Sequence, residues 1–165
     1  MQFNSLTEYF YKVYNLCLLM LLIPVASFLF VYYLVLTGKI TPTIQSELVL
    51  KIILICFPIL VALDLTIVHL VVKRRLALLV KEVSLGIKLE KYFATITPRI
   101  SAVVATALFM AAGLYITTNE LFTIYFLLLV IWLAFQWPTP RRISKDLKLR
   151  GDEETMVLTK GEAFK

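Results

Sequence analysis

The sequence predicts an all-α integral membrane fold: a four-helix bundle with a cytoplasmic helical hairpin extension between its second and third spans. Three observations carry this. Four apolar runs, residues 16–36, 52–72, 100–118 and 121–137, are long enough to cross or nearly cross a hydrocarbon core of about 30 Å as helices. Hydrophobic residues make up 60% of the chain, charged residues 17%, and the mean hydropathy is +0.85, well above a soluble domain whose apolar share is about 45 to 50%. Apolar stripes at helical spacing also continue past the second run, into a segment too charged to lie in lipid. With 165 residues there is material for one membrane domain, residues 1–150, and a polar cytoplasmic tail, 151–165.

The first helix is expected to begin near Leu6. Ser5 and Glu8 have capping-box spacing, and Leu6, Tyr9, Phe10, Val13 and Cys17 then share one face. It reads as a retained helix rather than a signal peptide, because the apolar run is too long and no small-x-small cleavage site follows. Pro24 leaves the Met20 carbonyl without its usual donor, which predicts a kink that the adjacent helix or Ser27 helps to satisfy. Residues 37–46, with Gly38 and Pro42, form the connecting loop.

Lys51 and the group Lys73, Arg74 and Arg75 bracket the second run, in which Pro58 repeats the kink device. Beyond Arg75 the positions Val72, Leu76, Leu79 and Val83, then Leu89, Phe93, Ile96 and Ile100, make two stripes separated near Gly86. That pattern predicts an antiparallel hairpin projecting from the membrane. Thr97-Pro98 is an alternative start for the third helix, and a break or kink is expected there.

The third span is rich in Ala, Ser, Thr and Gly, so its backbone can approach its neighbours closely and it should be the most buried helix. After a short turn at Asn119 and Glu120, the bulky fourth span should face lipid or another subunit. Thr139-Pro140 then caps a short basic helix that stops near Gly151 and lies at the membrane surface, and little fixed structure is expected beyond it.

Lys and Arg set the orientation. Seven lie in residues 73–99 and seven after the fourth span, whereas the first loop region has only Lys39 and Lys51. Both termini, Met1 and Lys165, are therefore expected in the cytoplasm, with Lys39 and Asn119 outside.

Asp64 stands two residues past the middle of the second run. An ionised carboxylate at that depth costs about 2.5 to 3.5 kcal/mol on insertion scales, so it should face protein or water or stay protonated. It reads either as a proton or cation site or as an interhelical hydrogen-bonding group. Ala62, Thr66, His69 and Lys73 form a separate stripe, on a different side of the helix from Asp64. Asp64, His69 and Thr66 are the candidate intramembrane polar residues. Trp132, Gln136 and Trp137 read as interface anchors, with a ligand pocket as the less favoured role. Arg74, Arg75, Arg141, Arg142 and Lys145 are candidate contacts for anionic lipid headgroups.

The positive net charge of +6 is explained by topology, so no nucleic-acid partner is expected. Cys17 and Cys56 should lie near opposite faces of the membrane and form no bridge. No catalytic, cofactor-binding or metal-binding spacing is apparent, so no cofactor or metal is expected.

The run Gln136-Trp-Pro-Thr-Pro-Arg-Arg-Ile-Ser-Lys-Asp-Leu-Lys-Leu149, with Lys-Leu-Glu-Lys-Tyr-Phe at 88–93 and the small-residue third span, resembles a group of uncharacterised small four-span bacterial membrane proteins. The resemblance covers roughly the C-terminal half. It implies a multi-pass protein of the bacterial inner membrane and supplies no activity. The resulting expectation is a non-enzymatic accessory or structural bundle in the lipid bilayer, associated with further copies or with another membrane protein. The alternative is a small transporter or a proton- or cation-coupled channel using Asp64.

Overall fold

The computed structural model describes residues 5–82 and 84–161. Val83, the last position of the first stripe, and the two terminal residues Met1 and Lys165 used in the topology argument lie outside them. The described residues form six helices: α1 Leu6–Leu36, α2 Glu47–Leu79, α3 Leu85–Thr117, α4 Leu121–Gln136, α5 Pro140–Leu147 and α6 Asp152–Leu158.

Local chemistry explains most of the helix ends. The Glu8 amide donates to Ser5 Oγ at 3.1 Å and starts α1. Within α1, Ser27 Oγ donates to the Ile23 carbonyl at 2.9 Å, not to the Met20 carbonyl that Pro24 leaves without a donor. Pro98 sits inside α3 without ending it, so the expected break there is absent. Gly86 lies in the first turn of α3, and the connection from α2 is made by residues 80–84 instead. At its far end α3 stops on Thr118 in the left-handed region, φ 52°, and the Asn119 side chain accepts from the Leu121 amide at 3.0 Å to open α4.

Three helices, α1, α2 and α3, are long and apolar enough to cross a membrane. The expected fourth crossing takes a different form. At 16 residues α4 is about 24 Å long, short of a hydrocarbon core. It reaches spanning length only together with α5, across a bend of 69°. The bend follows from sequence: Trp137 and Thr139 each precede a proline, whose ring disfavours helical backbone on the residue before it, and both are extended, with ψ of 135° and 158°. Thr139 Oγ1 then accepts from the Arg142 amide at 3.2 Å, with Pro140 in the first turn of α5.

α3 is the hub: it packs against α1, α2 and α4. In its most apolar window 44% of residues are buried, against 11% in α1 and none in α2, in keeping with its many small side chains. Two apolar clusters result. One, at the basic end, gathers Tyr9, Phe10, Val72, Tyr92, Ile96 and Ile143. The other holds Phe28, Met110, Leu114, Phe122 and Phe126, with the Phe28 and Phe126 rings stacked at 3.9 Å. Across that second region Tyr125 Oη donates to the Leu54 carbonyl at 3.0 Å and ties α4 to α2.

The tail departs from its expected lack of structure. α6 buries Val157 completely in the basic-end cluster. Lys88 of α3 pairs with Glu153 at 2.8 Å, and Ser144 of α5 donates to Glu154 at 3.3 Å. A polar segment needs only one well-seated apolar anchor and a few polar ties to hold two turns of helix, and composition averages do not register such an anchor.

Candidate functional site

A cavity of about 620 Å³ opens between α2 and α4, with Met110 of α3 in its wall. The size is typical of small-molecule sites. Most of its lining is apolar, including Pro58, Val61, Leu65, Leu128 and Leu129, and its polar groups are Thr66, His69, Tyr125 and Gln136, with Trp132 beside them. The α2 side of the wall is the Ala62, Thr66 and His69 stripe, which helical spacing puts on one face. Thr66 Oγ1 is spent on the Ala62 carbonyl at 2.6 Å. Trp132 and Gln136 belong to the cavity rather than serving only as interface anchors, while Trp137 lines a second cavity with Leu21, Val130 and Leu133.

At the His69 and Gln136 end the polar chemistry thickens. Gln136 Oε1 accepts from Arg142 Nη2 at 3.3 Å, and Arg142 Nη1 donates to the Phe135 carbonyl. Asp146 accepts from Tyr92 Oη at 3.0 Å and lies 3.8 Å from Arg142 Nε. Arg99 of α3 is only 3% exposed, and neither its Nε nor its Nη2 has a hydrogen-bond partner among the described residues. His69 Nδ1 is likewise buried and unpartnered. The charges acting on His69 are Arg99, Arg142 and Lys73, opposed by the single carboxylate of Asp146. Four elements thus converge: α2 gives His69, α3 gives Tyr92 and Arg99, α4 gives Gln136, and α5 gives Arg142 and Asp146.

The structure brings Thr66 and His69 together but leaves Asp64 apart. Asp64 is exposed on the opposite side of α2, in line with Leu60, Ile67 and Val71, and it lines neither cavity. Arg74, Arg75, Arg141 and Lys145 are exposed around the basic end, and of the candidate headgroup contacts only Arg142 turns inward. Among the described residues no group of three or more His, Cys, Asp or Glu side chains is placed to hold a metal ion.

Arg99, Tyr92 and Asp146 were not among the residues that sequence reasoning singled out. A signal was present. Leu89, Tyr92, Ile96, Arg99 and Val103 repeat at three and four residues, so Arg99 falls on the buried stripe. Counting it as one more topology-setting charge hid that position.

The fold and site define an all-helical protein whose three long apolar helices are compatible with a multi-pass membrane protein. No family model, curated protein or solved structure matches the chain.

Proposed function

We propose that this chain is a non-enzymatic membrane bundle with an accessory or structural role, and that it associates with a second copy through the outer face of α2. Its setting is the bacterial inner membrane, with α1, α2 and α3 crossing fully and α4 with α5 forming a bent fourth crossing. The basic end, including the α2–α3 connection and both termini, faces the cytoplasm. Charge distribution supports that orientation, since the Lys and Arg residues concentrate there.

One observation carries the association. Asp64 stands near the middle of the apolar run on a face where Leu60 and Ile67 are 63% and 59% exposed, and none of the described residues covers it. A carboxylate facing hydrocarbon at that depth is costly, whereas one facing a protein surface gains a hydrogen-bonding partner. A second copy related by an axis along the membrane normal brings an identical Asp64 to the same depth, and two carboxyl groups can then share a proton. The transporter reading is less favoured because Asp64 lies outside both cavities.

Cys56 is exposed and Cys17 buried, so both are replaced for the test. Single cysteines at Leu60, Ile67 and Val71, in a Cys17→Ser, Cys56→Ser background, should cross-link between copies under mild oxidation in membranes. Asp64→Leu should reduce the yield and Asp64→Asn should largely keep it. Uniformly absent cross-links, with a monomer by native mass spectrometry, would remove this reading. Robust proton flux in proteoliposomes lost in Asp64→Asn would favour the transporter.

A further inference from the structure

Among the described residues, the polar cluster at one end of the α2/α4 cavity holds more cationic than anionic groups. Arg99 is 97% buried by its 3% exposure, yet Nε and Nη2 donate to none of the described residues. A buried guanidinium left without acceptors is strongly unfavourable. The carboxylate that acts on it is Asp146, which already accepts from Tyr92 and faces Arg142. Among the described residues that one anion faces Arg99 and Arg142, with the exposed Lys73 also acting on His69, and His69 adds an unpartnered ring nitrogen. An anion rich in acceptor oxygens would satisfy these donors.

The adjoining space narrows the kind of anion. His69 and Gln136 line the cavity, and Gln136 is also held by Arg142, so the cationic cluster and the apolar cavity share a wall. A free inorganic ion would leave the apolar length from Pro58 to Leu129 empty. An amphiphile fills both parts at once.

We propose that this site binds an anionic lipid, with its phosphate on Arg99, Arg142 and His69 and one acyl chain in the cavity between α2 and α4. Guanidinium groups present only donors in a planar fork that suits phosphate oxygens. Arg99 is the central recognition residue, because its buried Nε and Nη2 lack acceptors among the described residues, while His69 and Gln136 line the cavity itself. The inference rests on the membrane setting proposed above and is independent of the Asp64 face, which lies on the other side of α2.

The test uses the full chain in nanodiscs of phosphatidylcholine with a minor fraction of phosphatidylglycerol, followed by native mass spectrometry of the lipids retained. Phosphatidylglycerol should be retained about tenfold in preference to phosphatidylcholine, because both offer the phosphate but the choline cation of phosphatidylcholine is repelled by the neighbouring Arg99 and Arg142 charges. Arg99→Gln should bring the preference close to parity. Ala62→Phe, which fills the cavity without touching a charge, should lower lipid retention by several fold, and Arg74→Gln on the exposed rim should change little. If Arg99→Gln loses its helical circular dichroism, Arg142→Gln and Ala62→Phe decide the matter. Equal retention of the two lipids, or retention unaltered in both of those variants, would overturn the proposal. Inorganic phosphate that binds the detergent-solubilised chain equally well with and without Ala62→Phe would also overturn it, by indicating a soluble-phosphate site. Release of the chain from vesicles by alkaline wash would instead overturn the membrane reading on which it rests.

Discussion

The ring of Phe122 on α4 lies where a side chain on Gly113 of α3 would stand, with Cζ at 2.6 Å and Cδ1 at 2.7 Å from the position of a Cβ there. Phe122 is completely buried and meets Phe57 of α2 edge-on at 5.2 Å. One missing side chain therefore lets three helices meet. Gly113→Ala should destabilise the bundle by about 1 to 3 kcal/mol, the usual range for overpacking. Adding Phe122→Leu should recover part of the loss, as read by thermal unfolding in micelles. Full stability in the single variant would show that the ring moves aside freely.

Tyr92 and Asp146 join α3 to α5 through one hydrogen bond at 3.0 Å. Because the acceptor is a carboxylate, Tyr92→Phe should cost about 1.5 to 3 kcal/mol. It should also loosen α5, with faster amide exchange across residues 140–147. Unchanged exchange there would mean that Ile143 and Leu147 hold α5 by packing alone.

α6 depends on Val157 and on the Lys88 to Glu153 pair, whose lysine side chain is 10% exposed. Val157→Asp should detach α6, seen as protease sensitivity between residues 148 and 161. Glu153→Gln should have a smaller effect, since the glutamate side is 34% exposed and partly screened. Equal sensitivity in the two variants would contradict this ordering.

Asn119 and Lys145 mark opposite ends of the proposed bundle. In a Cys17→Ser, Cys56→Ser background, an Asn119→Cys chain should react with an impermeant thiol reagent added outside intact cells. Lys145→Cys should react only after the membrane is opened. The reverse pattern would invert the topology.

The helix inventory was largely legible from sequence. The Ser5 cap, the Thr139-Pro140 start, the small residues that make α3 the most buried long helix, and the Ala62, Thr66 and His69 face all follow from spacing and side-chain chemistry. What escaped was tertiary. Spacing alone places Asp64 and His69 on different sides of α2 but does not reveal which side is covered. Hydropathy marks Arg99 as a boundary charge, although its neighbours at three and four residues place it on the buried face. The fourth span was read as ending at Trp137 with a separate helix opening at Thr139-Pro140; that α4 reaches spanning length only with α5, across the bend at the pre-proline residues Trp137 and Thr139, was not foreseen.

The central place of α3 bears on the order in which the chain can assemble. Since α1 and α2 each pack mainly on α3, the first two helices have little surface in common to hold them together once inserted. A chain halted at Leu79 would leave two independent helices, and the bundle acquires its shape only when α3 enters. Until then the Ala62, Thr66 and His69 face of α2 lacks the neighbours that later wall it, whereas Asp64 stays exposed among the described residues even in the complete fold.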